Sequence, residues 1–436
     1  MVVSHVEVIS REMVKPSSPT PHHLRNLKLS FLDQIAPPVY IPLIFFYKPE
    51  LGNNIVRAQK SQSLKQSLSD TLTRFYPLAG RIKDDIFIDC NDAGVEYVEA
   101  QAHAQLSHVV ENPNVEELKQ YLPIGPFGTS AAMGEEALLA IQINSFDCGG
   151  LAIGLCISHT IADVSSLVTF TNAWAATARG AIENVINPSF ELAFHFPPRD
   201  LLGFMPTTGI TKEKIVTKRF VFDKMKLATL KESASSTIGS RVKDPTRVEA
   251  VSALIWSHLI NVAKSKLSPK KIFVATHAVN LRSRMSPPLP DHALGNICRF
   301  THALSMSEGH GTEFGDLLNK LSSAIRKIDS DYVKDLQIGD GCLDYLKVMI
   351  EIFSKREVEF CNFSSWWRFP VYEVDYGWGK PVWVGTTNFP FKNVTILMGT
   401  SCGEGIEAWI NLLEDDMILL ERDHKLLSLD AGKINA

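Results

Sequence analysis

GLCISHTIADVSSLVTF, residues 154–170, changes its period half-way along. Up to Ser158 it is an apolar run, the pattern of a strand covered on both faces. From Val164 onward, Leu167, Phe170 and then Trp174 recur at helical spacing, and Gly180 can stop the helix. His159 stands where the strand ends, and Asp163 follows at the neck of the helix. An imidazole on so rigid a platform suits a general base. The plainer alternative is a core histidine hydrogen-bonded into its surroundings. A metal site fits poorly, because His159 and Asp163 supply two ligands and no third stands at a familiar spacing.

Working outward, ALLAIQINSF (137–146) and LAIGLCIS (151–158) flank Asp147-Cys148-Gly149-Gly150, which predicts a hairpin with a longer loop. Residues 55–74 predict a helix, IFIDC (86–90) and VEYVEAQ two strands, and CNDAG the turn between them. Residues 184–213 carry prolines, scattered aromatics and no clear period, and read as a crossover. Beyond it, helices are expected at 224–233, 248–266, 313–328 and 341–356. Strands are expected at 218–223, 271–280, 382–388, 393–399 and 405–412. The pattern indicates an α/β or α+β fold with largely mixed sheets, and the chain length suggests two domains, cut here as 1–183, carrying HTIAD, and 214–436, carrying DYGWG, with 184–213 as linker.

The bulk properties agree. At 436 residues the chain exceeds the usual size of one core. A formal net charge of −4, without a dense Lys/Arg stripe, argues against nucleic acid or an anionic membrane as partner. The longest apolar runs, such as VYIPLIFFY (39–47), are too short to span a bilayer. Seven scattered cysteines with no CxxC are reduced, intracellular usage, and the expected location is the cytoplasm.

Two further stretches compete for function. GTSCG (399–403) fits the G-x-S-x-G nucleophile pattern, and Asp415 or Asp416 and His424 follow Ser401 in hydrolase order. A nucleophile elbow must join a strand to a helix, however, and GEGIEAWINL alternates like a strand. DYGWGKP (375–381) brackets Trp378 between Gly377 and Gly379 and reads as a structural turn with an aromatic plug. In VNLRSRMSPPLP (279–290), Arg282 and Arg284 alternate on one expected strand face, where arginine usually meets a carboxylate.

HTIAD and DYGWG, in that order, resemble the BAHD family of plant acyl-CoA-dependent acyltransferases. So do PSSPTP, LSFLD, YPLAGR, FDCGG, TRVEAVSALIW, VNLRSRM and LGN, so the likeness runs nearly end to end. PSSPTP, VNLRSRMSPPLP and GKPVW are most similar to the members that acetylate alkaloids and terpenoids. Val164 replaces a common glycine and Tyr376 the commoner phenylalanine; neither removes a catalytic group.

The resemblance implies a chloramphenicol-acetyltransferase-like α/β architecture of two similar-sized mixed-sheet domains joined by a long crossover, with a channel between them and a C-terminal segment able to pack back on the first domain, so that the boundary at 214 is a cut in sequence. It implies His159 as the base, acyl-CoA (most simply acetyl-CoA) as cosubstrate with no permanently bound cofactor, a small-molecule alcohol as acceptor, and a monomer. Asn296 of LGN is the first oxyanion candidate and Trp378 the second. Asp163 is expected to turn away and pair with Arg282. Asp375, Gly377, Trp378 and Gly379 would shape the CoA side, and Thr246, Ser252, Lys380 and Thr386 would touch CoA. An aromatic acyl group in place of acetyl is the alternative within the family, and a serine hydrolase using Ser401 the alternative outside it.

Overall fold

The computed structural model describes residues 5–49, 54–84, 86–124, 136–181, 183, 185–201, 210–211, 213–236, 242, 244–266, 272–306, 312–338, 347, 351 and 358–422. The N-terminal half contributes strands β1 (His5–Val14), β2 (Asn26–Lys28), β3 (Tyr40–Tyr47), β4 (Arg81–Lys83), β5 (Phe87–Asp89), β6 (Val95–His103), β7 (Leu139–Phe146) and β8 (Leu151–Ser158). The C-terminal half adds β9 (Ile215–Phe222), β10 (Ile272–Asn280), β11 (Cys298–Met306), β12 (Val358–Ser365), β13 (Trp383–Gly385), β14 (Val394–Gly399) and β15 (Ile406–Leu413).

Two six-stranded mixed sheets result. The first runs β1-β6-β7-β8-β3-β13, the second β11-β10-β12-β14-β15-β9, and β2-β5-β4 form a small third sheet. β6 and β7 pair in parallel, as do β10 with β12 and β12 with β14; the other pairs are antiparallel. The α/β class and the mixed sheets read from the sequence are what the chain forms.

The hairpin β7–β8 turns through Asp147–Gly150, with Gly149 at φ 87°. β8 pairs on its other side with β3, whose eight residues are all buried, so the apolar runs of both strands have cover on each face. Pro42 within β3 is tolerated because its carbonyl, and with it its ring nitrogen, faces the side where β13 has ended. Thr386 Oγ1 donates to that carbonyl at 2.9 Å.

The helix Val164–Ala178 packs on the helix Asn54–Arg74, and the Trp174 indole N–H reaches Leu64 O and Ser67 Oγ. It closes with a Schellman cap: Ala181 N–H donates to Ala176 O and Gly180 N–H to Thr177 O, with Gly180 at φ 74°.

The cut at residue 214 divides the sequence and not the two cores. Trp366, Val371, Val374, Tyr376, Trp383 and Phe389 join the core of the first sheet, and β13 pairs antiparallel with β3. The second half thus returns a strap that carries DYGWG onto the first domain. Its large aromatics bury more surface there than in solvent, a long-range choice with no local sequence signal. The helix expected at 341–356 lies almost wholly outside the described residues. β1, β2, β3, β4, β11 and β12 were not among the expected strands. Among the described residues no helix is long and apolar enough to cross a membrane.

Gly154, in the middle of β8, shows how tightly this sheet is covered. A Cβ there would lie 2.0 Å from Tyr121 O. Gly154→Ala should cost about 1–3 kcal/mol by overpacking. The measurement is the urea midpoint, and an unchanged midpoint would mean that the Tyr121 backbone moves aside freely.

Candidate active site

His159 leaves β8 with its backbone N–H bonded to Val39 O at 2.8 Å, so the imidazole hangs from the central strands of the first sheet. The ring is half-buried, and its Nδ1 lies 2.9 Å from Asn296 Oδ1. The Asn296 amide nitrogen donates to His159 O at 2.7 Å and to Asp33 Oδ1 at 2.9 Å. Both amide hydrogens are therefore spent, and the amide oxygen must face the ring. An acceptor opposite Nδ1 requires a proton on Nδ1, which leaves Nε2 with a free lone pair. Burial lowers the imidazole's pKa below its ordinary 6.5, and the hydrogen bond to Asn296 and the nearby Asp163 charge offset part of that. The ring is neutral at pH 7.

Asn296 reaches this place on a bent loop. Gly295 stands at φ 128°, and a Cβ there would fall 2.4 Å from Leu192 Cδ2. Leu192 belongs to the crossover, which also holds the loop through Leu294 N–H to Ser189 O. The glycine of LGN thus lets the crossover press against the loop that carries the asparagine.

Asp163 is turned away from the ring, as the resemblance implied. It is the N-cap of the helix Val164–Ala178, and its Oδ1 accepts from Ser166 N–H at 2.8 Å. Its oxygens also receive Arg282 Nη1 at 2.8 Å, Arg282 Nη2 at 3.0 Å and Ile297 N–H at 3.1 Å. Burial pushes the carboxyl's pKa up, but the Arg282 guanidinium outweighs it and holds it below the ordinary carboxylate value. Arg282 lies not on a strand face but in a 3-10 turn after β10, 1% exposed, and further donates to Ala293 O. Arg284, expected beside it, instead donates to the carbonyls of Ile325 and Ile328.

Two expectations for the oxyanion fail on geometry. Asn296 has no hydrogen left to donate. Trp378 stacks on Tyr376 at 5.5 Å and meets Tyr47 edge-on, while Lys60 Nζ sits 5.0 Å from its ring centroid. Asp375 Oδ1 accepts from Gly377 N–H (2.8 Å) and Gly379 N–H (2.9 Å), with both glycines at positive φ. Arg179 grips the Asp375 carbonyl at 2.7 Å, beyond the far end of the helix that Asp163 begins. That puts DYGWG about 24 Å along the helix from the chemistry. Its work here is to fasten the strap.

No two of the four CoA candidates share a hydrogen bond. Thr246 caps the helix Arg247–Lys264 in a reciprocal box with Glu249, and Ser252, on that helix, has a buried hydroxyl without a partner. Lys380 is exposed and paired with Glu373 at 2.6 Å, and Thr386 is fully buried against Pro42.

Ser401 lies exposed in the β14–β15 turn. Asp416 is paired with Lys266 at 2.9 Å, and His424 lies outside the described residues. No strand-to-helix elbow exists at Ser401, so the hydrolase reading is withdrawn. Asp33 is the site residue that sequence reasoning missed. Its signal was available in the S-x-x-D pattern of LSFLD, a capping box realised by Ser30 and Asp33. Among the described residues no group of three His, Cys, Asp or Glu side chains could hold a metal ion.

Two mixed sheets thus present a half-buried histidine at the end of a central strand, clamped through a neighbouring loop and an aspartate–arginine pair. The profile of the Transferase family matches residues 4–427, and the chain belongs to that family, the BAHD acyltransferases. It is 45% identical over 424 residues to stemmadenine O-acetyltransferase of Catharanthus roseus, covering 96% of each chain. It is 45% identical over 427 residues to vinorine synthase of Rauvolfia serpentina, covering 97% of each. A limonoid 7-O-acetyltransferase of Citrus sinensis matches at 37% over 449 residues, with 97% of each covered. The crystal structure of vinorine synthase superposes with a TM-score of 0.84 at 42% identity, covering 98% of both chains.

The roles of the two motif residues separate by measurement. Asp163→Ala strands a buried guanidinium and should cost about 3–5 kcal/mol of stability together with activity. His159→Ala should keep the wild-type urea midpoint and lose turnover. Equal midpoints for the two variants would contradict this division. Because the Asp163 pKa is depressed in the fold, its contribution is complete above the unfolded value of about 3.9 and is lost as pH falls through the lower folded value. The acid-induced loss of stability should therefore be steeper in the wild type than in Asp163→Ala.

Proposed function

We propose that the protein transfers an acetyl group from acetyl-CoA to a hydroxyl of an alkaloid or terpenoid, with His159 Nε2 as general base in a ternary complex. The single observation that carries this is the fixed tautomer: Asn296 Oδ1 at 2.9 Å from Nδ1 leaves Nε2 the only basic atom of the ring. Nε2 takes the hydroxyl proton as the alcohol oxygen attacks the thioester carbonyl. The new C–O bond forms, the tetrahedral intermediate collapses with cleavage of C–S, and the proton passes from Nε2 to the departing thiolate. A base so placed contributes roughly 10²–10⁴-fold. A thioester is already activated, so no covalent enzyme intermediate is needed. The oxyanion donor is a group other than Asn296 and Trp378.

The acceptor class rests on the relatives, whose names specify O-acetylation of stemmadenine and of limonoids. His159 and its hydrogen-bond partners all come from one chain, which suits a monomer. The six described cysteines are free, which suits the cytoplasm.

The test is release of CoA from acetyl-CoA and from one aromatic acyl-CoA, with a panel of indole-alkaloid and limonoid alcohols as acceptors. Turnover with acetyl-CoA and not with the aromatic donor is expected. The reverse preference would replace acetyl by a bulkier acyl group. Since burial lowers the base's pKa, the acid limb of kcat/KM should lie below pH 6.5. A limb above that value would assign the proton transfer to another group.

A further inference from the structure

Asp33 is a buried carboxylate one residue removed from the catalytic ring. Its Oδ1 accepts from Asn296 Nδ2 at 2.9 Å and from Asn296 N–H at 2.8 Å. Its Oδ2 accepts from Ser30 N–H at 3.0 Å and Ser30 Oγ at 2.6 Å. Four donors fill four lone-pair sites, and the arrangement is satisfied by the ionised form. Burial pushes the carboxyl's pKa above 3.8, and those same four bonds oppose the rise. Among the described residues no cation pairs with Asp33. An unpaired buried carboxylate is costly and calls for a use.

The use follows from the direction of the bonds. Asp33 accepts from Asn296, and Asn296 accepts from His159, so a proton-donor chain runs from the ring to the carboxylate. We infer that Asp33 is a positioning residue of this acyltransferase: it orients the Asn296 amide, and through it fixes the His159 tautomer and stabilises the imidazolium that forms when the alcohol gives up its proton. A carboxylate, an amide and an imidazole in series do what a directly bonded carboxylate does in a hydrolase triad, at one remove. This rests on the general-base reading of His159.

The other charged and titratable groups in the neighbourhood do not serve the same purpose. Asp163 is neutralised by Arg282 at 2.8 Å. Cys298, which feels Asp163, Arg282, Arg299 and Asp33, is pushed up to about 12 by burial and stays a thiol. Lys28 shares a cavity wall with Asp33 but is exposed and forms no ion pair with it. The rest of that wall is mainly apolar, with Leu29, Leu78, Ile157 and Ile161. Asp33 therefore keeps its field for the asparagine.

The experiment is the pH profile of Asp33→Asn with acetyl-CoA and an acceptor, read beside His159→Ala and the exchanged double variant Asp33→Asn/Asn296→Asp. Asp33→Asn should lower kcat at pH 7, by no more than the roughly 10²–10⁴-fold that the base itself contributes, and leave KM for acetyl-CoA unchanged. Its acid limb should move to lower pH, because an imidazolium that has lost a negative neighbour gives up its proton more easily. The double variant returns a carboxylate to the chain, and its limb should move back up. It also keeps amide facing carboxylate where the single variant fails to fold. The His159 ring titration, followed by NMR and assigned by its absence in His159→Ala, should shift in the same directions.

A purely structural Asp33 would lower the melting temperature while leaving the limb and the ring titration at their wild-type positions, and that result overturns the inference. So does wild-type kcat in Asp33→Asn, or a double variant with no upward shift. If His159→Ala itself keeps turnover, the general-base reading has failed and this inference falls with it. If His159→Ala is inactive while Asp33→Asn behaves as wild type, only the role of Asp33 is lost.

Discussion

The buried pair of Asp163 and Arg282 is the constraint on which the site depends. One carboxylate caps the helix Val164–Ala178, receives both terminal guanidinium nitrogens, and takes the backbone N–H of Ile297. The guanidinium in turn binds Ala293 O, so the loop 293–297 is held at both ends by one ion pair. Neither ion is cheap to bury, and each is tolerable only because the other's hydrogen-bonding capacity is filled. The pair joins the first domain to the turn after β10 in the second. Asn296 is held in place between these anchors, and the imidazole answers to Asn296.

A division of labour results. In the proposed mechanism the aspartate of HTIAD fixes the loop and takes no proton, whereas the histidine acts as the base. The separation suits a transferase that needs only one base. With the thioester supplying the activation, the protein has to deliver a neutral imidazole with a known bare nitrogen. It achieves this with one asparagine whose other two bonds leave it a single orientation.

DYGWG occupies the opposite end of the same helix. The turn made by Asp375, Gly377 and Gly379 clips the aromatic strap to Arg179, while Tyr376 packs edge-on against Trp174 at 4.9 Å. One helix thus reads out both motifs: its N-cap sets the site and its C-cap receives the returning chain. The two motifs are about 210 residues apart in sequence, yet both answer to one rigid rod.

The sequence by itself determined what local physics controls. The change from an apolar run to helical spacing placed His159 at a strand end, and the glycines around Ser401 marked a hairpin turn rather than an elbow. The helices at 55–74, 164–179 and 248–266, and the strands around them, are periodic enough to read. The tertiary structure alone decided the rest. The return of residues 366–391 to the first sheet is a choice between two cores, which no window of sequence compares. β3 and β12 become strands because partners cover them. Asn296 carries two donors and one acceptor in any sequence, and only its neighbours, Asp33 and the His159 carbonyl, determine which way it faces. That orientation makes Nε2 the basic nitrogen, because a hydrogen bond specifies a tautomer and a residue name does not.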